Sequence, residues 1–551
     1  MKKPNFGTGI LISAFLTAPL IALMYLGNKL FDLSFAPFDL FNWIARVLPG
    51  PVITFGIDLM IDTMRLLGID VADAAKTAEQ LMAVLTFFLI GTAIGTLFVL
   101  VTNRLEKPPG LAQGLLVAAL FGLPMIAISV GEGDSTLNPS INILWSALLF
   151  AAWGLMLSWS DRKLWVVASL VDEQAAAEVE QAEPQVQRLS RRQFLLTLGA
   201  SSAAITVVGA GLAAVLETSI RGLGTAGGGS DDTHSTDETA NIQLPNQNDP
   251  VMPAPGTRPE YTPLKDHYKV FIELEPTEIE GSSWHLPITG MVANPLMLSL
   301  DDLRQNYPAR DQYVTISCIS GRIGTSLIGT TQWTGVSVQD VLADAQVQPG
   351  ARYLHIGSGD GFYETVDLDL INSDERIMFC YAWDGNPLSV DHGFPLRIWI
   401  PDRFGMKQPK WITSVEVTDT YKEGYWVERG WDEVAQVKTT SVIDTVAVDA
   451  AYEGADGRLV PVGGIAYSGD RGISKVEVSV DGGSWQQVML RSPLSETTWV
   501  IWRYDWLFQP GDHTFEVRCY QGDGTLQIVE QSDARPSGAT GIHSVEENLP
   551  G

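Results

Sequence analysis

The 551-residue sequence predicts a multidomain chain: an α-helical membrane domain, then an α+β domain, then an immunoglobulin-like β-sandwich. Three observations predict this order. Apolar stretches long enough to cross a bilayer fall within about the first 220 residues; strands and short helices mix between residues 264 and 431; after Lys438 only strands follow, at hairpin spacing. A net charge of −28 beside a mean hydropathy of +0.10 fits that segregation, with apolar residues first and most of the acid later. A pI near 4.5 excludes the basic footprint that nucleic acid requires. Three cysteines, Cys318, Cys380 and Cys519, make an odd set that builds no disulfide framework.

Residues 1–189 hold four candidate spans, 8–28, 80–102, 110–130 and 141–160, each near the length that hydrocarbon demands. A fifth, 194–216, follows Ser190-Arg191-Arg192-Gln193. Residues 35–69 differ, because Asp39, Arg46, Asp58, Asp62 and Arg65 interrupt them and Pro49-Gly50-Pro51 breaks them. They predict two short amphipathic helices lying on or dipping into the membrane surface. Lys2 and Lys3, then Arg104 and Lys107, then Arg162, Lys163, Arg188, Arg191 and Arg192 fall in alternate connections, while Glu132 and Asp134 mark an opposite loop. The chain's start is therefore expected inside and its C-terminal half outside.

Residues 190–196, S-R-R-x-F-L-L, look like a twin-arginine export signal, making 190–220 a signal anchor; an ordinary positive-inside flank predicts the same topology. None of the seven histidines precedes His234, so the membrane helices have no imidazole to hold a haem iron. This part is read as an anchor, or as a docking surface for a separate redox partner. Residues 221–262, rich in Gly, Pro, Ser, Thr, Asp and Asn and containing Gly227-Gly228-Gly229, predict a flexible tether.

The α+β domain, 263–435, is expected to form strands at 268–274, 353–357, 396–400 and 412–417, with helical pieces at 300–306 and 337–345. Cys318 ends the short strand Val314-Thr315-Ile316, where Ser320, Gly321 and Gly324 turn the backbone. A thiolate there suits a transition metal or nucleophilic attack, and Arg322 is expected to lower the thiol pKa and attract an anion. Taken alone, Cys318 reads more readily as a small buried hydrophobe. Further on, His392 stands at a turn beside Gly393, and Arg397, Arg403, Lys407 and Lys410 bring four cations into fourteen residues. That set suits a phosphate, or else forms a solvated basic patch.

The run C-x-S-x3-G-x4-G-x3-W-x-G-V, from Cys318 through Ser320, Gly324, Gly329, Trp333 and Gly335 to Val336, resembles the molybdenum-ligand segment of the sulfite oxidase family of molybdopterin-dependent oxidoreductases. His392-Gly393-Phe394-Pro395-Leu396-Arg397, then Pro401, Gly405, Lys407 and Lys410-Trp411, resemble a second segment of that family. The resemblance covers about residues 260–540. It implies a molybdenum-molybdopterin cofactor (Moco) with Cys318 as the protein's metal ligand and Cys318, Arg322 and Tyr363 at the reacting centre. Asp266, His267, His392, Arg397, Lys407 and Lys410 are then the cofactor-binding set. His267 is kept where relatives carry Arg-Asn-His, but Lys265 and Asp266 differ, and Asp384 replaces an Asn of the family's Y-x-x-N-G-x-P-L.

Beyond Lys438, strands are expected at 443–448, 458–466, 473–480, 498–505 and 513–519, separated by turns at Asp456-Gly457, Asp481-Gly482-Gly483 and Asp523-Gly524. That spacing predicts a sandwich over 436–540, and runs within it resemble the family's dimerisation domain, implying a homodimer. The expected protein is a multi-pass, membrane-anchored oxidoreductase with its catalytic domain on the periplasmic side. It would transfer an oxo group to or from a small oxyanion such as sulfite and pass electrons to a separate partner. A methionine sulfoxide-type reductase of S-oxides or N-oxides, a Cys–His hydrolase and a non-catalytic scaffold are the alternatives.

Overall fold

The computed structural model describes residues 6–48, 71–105, 107–132, 138–177, 191–223 and 243–549, with a few isolated residues between 52 and 63. Two compact units result, Met1–Leu48 with Ala75–Gly228, and Pro49–Ala74 with Gly229–Gly551. Lys2, Lys3, Asp134, Arg188, Ser190 and the triple glycine lie outside the described residues, as do the side chains of Glu132, Arg191 and Arg192.

The first unit comprises α1 (Phe6–Phe31), α2 (Ala36–Val47), α3 (Val71–Leu105), α4 (Leu111–Glu132), α5 (Pro139–Ala177) and α6 (Arg191–Leu223). Phe6–Phe31, Lys76–Leu105, Leu111–Gly131 and Pro139–Trp165 are long and apolar enough to cross a membrane. In α6, the expected fifth span, the apolar run among the described residues is Gln193–Gly209, which is shorter. Small residues bring backbones together: a Cβ on Gly91 or Gly95 of α3 would lie 2.7 Å from Thr17 Cγ2 or 2.5 Å from Ser13 Oγ of α1. Of the two amphipathic helices expected at 35–69, α2 forms, while most of the second lies outside the described residues. Asp39 of α2 is buried, and Ser129 of α4 donates to its carboxylate, so this acid faces the bundle.

In the second unit, β1 (His285–Gly290), β2 (Leu296–Ser299), β3 (Arg310–Ser317), β4 (Ile328–Ser337), β5 (Tyr353–Ser358), β6 (Tyr363–Asp367), β7 (Met378–Trp383), β8 (Asn386–Pro387), β9 (Arg397–Trp399) and β10 (Ile412–Thr418) build two sheets. One has the order β2-β1-β10-β5-β6 with β1 and β10 parallel; the other runs β3-β4-β7-β8, with β9 on β7. Helices α7 (Leu300–Asn306), α8 (Val338–Ala345) and α9 (Leu368–Ser373) press Leu303, Val341 and Ile371 into the core of the first sheet. Ser299 and Asp302 form a reciprocal capping box that starts α7 at the expected residue.

The strand expected at 268–274 does not form: a short 3₁₀ turn, Leu264–Asp266, precedes irregular backbone. Its side chains pack instead, with the Phe271 ring edge-on to Trp411 at 5.6 Å. The expected tether is likewise corrected over 243–262. Arg491 donates to Glu260 (2.9 Å) and to the carbonyls of Val251 and Asn246 (3.0 Å each), while Arg258 pairs with Asp444 (2.6 Å). Composition suggested a solvated linker, but its polar groups are taken up by arginine and aspartate of the folded unit.

Strands β11 (Thr440–Val446), β12 (Tyr452–Gly454), β13 (Gly457–Tyr467), β14 (Ile473–Val480), β15 (Gln486–Gln487), β16 (Met489–Leu490), β17 (Val500–Leu507), β18 (Gly511–Gln521) and β19 (His543–Leu549) form two antiparallel sheets. Val460, Val462 and Trp502 from one sheet meet Val478, Phe515 and Val517 from the other in a single core, which is a sandwich. Its last strand, β19, lies wholly beyond residue 540, the expected end of the domain. Cys318, Cys380 and Cys519 are all free thiols.

Candidate active site

β3 carries Val314, Thr315 and Ile316 into the interior and delivers Cys318 to the start of a loop. The Cys318 N–H donates to Leu327 O (3.0 Å), and the Gly321 N–H donates back to Cys318 O (3.1 Å), so the loop 318–327 is closed at its base. Gly324 within it has φ +85°, and His543 Nε2 would lie 2.8 Å from any Cβ there; both facts call for glycine. The Cys318 Sγ sits 3.1 Å from Ser320 Oγ. Burial pushes the thiol up, with hydrogen bonds from Ser320 acting the other way. This corrects the expected effect of Arg322, whose side chain is about half exposed at the rim, 4.0 Å from Asp533.

Above the thiol opens a cleft of about 60 Å³. Arg322 and Phe404 line it from the α+β domain, Arg258 from the pinned segment, and Lys438 and Tyr467 from the C-terminal part. Tyr467 Oη donates to Thr315 O (2.8 Å), tying the sandwich to β3 three residues before the cysteine.

Beside this loop lies a buried polar cage. His267 and His392 meet edge to face with ring centroids 5.4 Å apart, and His392 also lies 4.3 Å from the Trp383 ring. Each imidazole is held at Nδ1, His267 near Tyr268 O (3.4 Å) and His392 near Ser389 Oγ (2.8 Å). Both Nε2 atoms are buried and have no hydrogen-bond partner among the described residues. Arg397 Nη1 donates to His392 O (3.1 Å) and its guanidinium covers the Trp333 ring at 4.4 Å, yet among the described residues Nε has no partner and no carboxylate pairs with the guanidinium. Burial holds His267 at about 3 and His392 well below its ordinary value, so both rings are neutral. Arg397 is pushed down to about 10, also by burial, and remains charged. Gly329 makes room, since a Cβ there would lie 2.9 Å from His267 Nε2.

Residues 273–426 match the family profile described as "Oxidoreductase molybdopterin binding domain". They are a molybdopterin-binding oxidoreductase domain. The mitochondrial sulfite oxidase of Macaca fascicularis is 27% identical over 294 residues, 45% of this chain and 54% of that one. The nitrate reductase [NADPH] of Fusarium oxysporum is 28% identical over 256 residues, 38% of this chain and 28% of that one. Among solved structures, the sulfane dehydrogenase SoxCD of Paracoccus pantotrophus aligns with TM-score 0.46 and 17% identity, over 61% of this chain and 98% of that chain. The chain thus spans about half the length of the sulfite oxidases and under a third of the nitrate reductase.

The cofactor of the molybdopterin domain is molybdenum-molybdopterin, and the cage fits it. Three buried nitrogens without partners among the described residues, two on neutral rings and one the Nε of a guanidinium, suit a polar heterocycle and a phosphate. Lys410 Nζ, bonded to Asp391 O (2.9 Å), lies 4.4 Å over the Trp411 ring, and a Cβ on Gly393 would touch both Lys410 and Arg397. The remaining expected residues lie apart. Asp266 is exposed on the turn before His267. Lys407 is buried, but its ammonium is taken by Glu364 (2.7 Å) and Thr365 O (3.3 Å), not turned to the cage. Tyr363 donates to Glu428 (2.5 Å) and does not line the Cys318 cleft; burial and Glu428 push its phenol to about 12.

Two residues of the site escaped the sequence. Tyr268 stacks on His267 with centroids 5.3 Å apart and lies within electrostatic reach of both Cys318 and Arg397, linking cage to loop. Lys438 lines the cleft from beyond the expected domain boundary. Adjacency to His267 was the available signal for Tyr268; nothing local in the sequence marks Lys438.

Proposed function

We propose that the chain is a membrane-anchored, extracytoplasmic oxidoreductase that transfers an oxo group on a small oxyanion such as sulfite. The observation that carries this is Arg397, a buried guanidinium with no carboxylate partner among the described residues, bonded to the carbonyl of His392 and within electrostatic reach of both neutral histidines. Cys318 would hold the molybdenum through its thiolate; His267, His392, Arg397 and Lys410 would hold the pterin and its phosphate. The bound cofactor supplies two-electron oxo-transfer chemistry. The chain's own contribution is binding and orientation. The closed base of loop 318–327 fixes the sulfur, burial keeps the two imidazoles neutral hydrogen-bonding groups, and Arg322 at the rim draws an anion towards the cleft.

An S-oxide or N-oxide reductase is the second reading. Ile323, Leu327, Phe404 and Val442 in the cleft wall favour it, since apolar walls suit a thioether substituent better than an oxyanion. Four apolar helices support the anchor, and positive charge alternating between connections supports a periplasmic catalytic unit reached through the twin-arginine-like segment. A separate electron carrier and pairing of two copies through an immunoglobulin-like sandwich complete the proposal; the shared core of Val460, Val462, Trp502, Val478, Phe515 and Val517 supports the sandwich.

The test is metal and pterin content of the full chain from a molybdenum-replete host, beside Cys318→Ala, followed by dye-coupled turnover. Near-stoichiometric molybdenum, altered metal spectra in the variant, and sulfite-dependent dye reduction weakened in Arg322→Ala are expected. Reduction of S-oxides with no sulfite oxidation would transfer the assignment to the second reading. Well-folded protein without molybdenum or pterin would defeat both.

A further inference from the structure

The helical unit contains a cavity that anchoring alone does not require. α1 and α3 touch closely where Ser13 and Thr17 meet Gly95 and Gly91. Beyond that contact, towards Tyr25 on α1 and Gln80 on α3, a space of about 620 Å³ opens between them. Phe35, just before α2, and Phe38 of α2 close one side, with the Tyr25 and Phe35 rings 5.6 Å apart and Phe35 and Phe38 edge to face at 4.7 Å. Thr206 of α6 lines another side; its hydroxyl is buried and has no partner among the described residues. Leu81 and Leu85, both exposed, form the opening.

A cavity of this size, largely apolar with a few polar atoms, is the ordinary shape of a small-molecule site between helices. A hydrocarbon chain would leave the Thr206 hydroxyl unsatisfied, which is costly away from water. An occupant with a flat ring, an oxygen acceptor and an apolar tail satisfies every wall: aromatic faces for the ring, Thr206 for the oxygen, and exposed leucines where the tail leaves into lipid. The chain carries a two-electron oxidoreductase domain, yet no histidine precedes His234 to hold a haem in these helices. We propose that this cavity binds the head group of an isoprenoid quinone. The inference names the separate electron carrier and rests on the membrane-anchored redox reading above.

The experiment uses the full-length protein in nanodiscs of quinone-free phosphatidylcholine, with an azido-decylbenzoquinone photoprobe and mass-spectrometric mapping. Saturable labelling of peptides within residues 18–38 and 77–88 is expected, displaced by decylubiquinone but not by palmitate. Ala18→Phe, which fills the cavity, should lower labelling about tenfold, and the near-isosteric Thr206→Val should weaken apparent affinity about fivefold. Non-saturable labelling, equal displacement by palmitate, or labelling unchanged in both variants would overturn the inference. Should Ala18→Phe not fold, Thr206→Val decides. Molybdenum content is measured on the same preparations. Full molybdenum without quinone binding refutes the cavity's role and leaves the catalytic reading intact, whereas absent molybdenum strikes the catalytic reading by itself.

Discussion

Replacing Arg397 by methionine should move stability and cofactor retention in opposite directions. The guanidinium is buried with no carboxylate partner among the described residues, and burial pushes its pKa down to about 10. At about 1.4 kcal/mol per pH unit, that fall corresponds to a cost of about 3 kcal/mol for keeping the charge inside. The contact with Trp333 and the bond to His392 O return about 1–2 kcal/mol of it. Methionine fills similar volume without the charge, so the cofactor-free protein should gain about 1–2 kcal/mol, read as a rise of about 2–5 °C in the melting midpoint of protein from a pterin-deficient host. The same substitution removes a charge-assisted partner for phosphate. Molybdenum and pterin retained after gel filtration should fall at least about tenfold. A cofactor-free variant destabilised by more than about 1 kcal/mol would show that the guanidinium serves the fold. Unchanged cofactor content would remove Arg397 from the cofactor site.

Lys407→Met provides the contrast, because it strands a buried Glu364: stability should drop by about 3 kcal/mol while molybdenum per folded molecule stays constant, measured by denaturation beside metal analysis. Asp384 is raised from 3.8 to about 6 by burial, so the folded protein holds its proton more tightly and loses stability as pH rises from about 4 through about 6. Asp384→Asn should abolish that loss, raising stability by about 1–2 kcal/mol above pH 6, after allowance for partial solvent screening, and giving no gain below pH 4. Melting midpoints across that range check it. Arg491→Ala should release residues 246–260, seen as new protease cleavage there, and should lower dye-coupled turnover as well, because Arg258 of that segment lines the Cys318 cleft.

Periodicity made most of the elements legible. Leu300–Asn306 and Ile473–Val480 begin and end where the residues predict, the first because a Ser-Asp capping box fixes its start, the second because alternation meets a turn at Asp481-Gly482. The strand expected at 268–274 had the alternation but not the ladder, since its side chains are engaged in packing around the cage. Residues 243–262 misled through composition: low hydropathy signals a tether only when no folded surface offers Arg491 or Asp444. At the site, Cys318, His392 and Arg397 were visible because turns and charge single them out. Lys407 looked equivalent to its neighbours by charge, and only the position of Glu364, forty-three residues earlier, assigns its ammonium elsewhere.

The sandwich and the molybdopterin domain can be drawn as separate modules, yet they are not interchangeable parts. Lys438 and Tyr467 belong to one module and line the cleft of the other, and His543 stands where Gly324 must pass. A sandwich transplanted from a different chain would arrive without these three side chains, leaving the Cys318 loop with neither its backing nor part of its entrance. The cleft therefore belongs to the seam between the two folds, and β19, through His543, shapes the same loop that begins at Cys318.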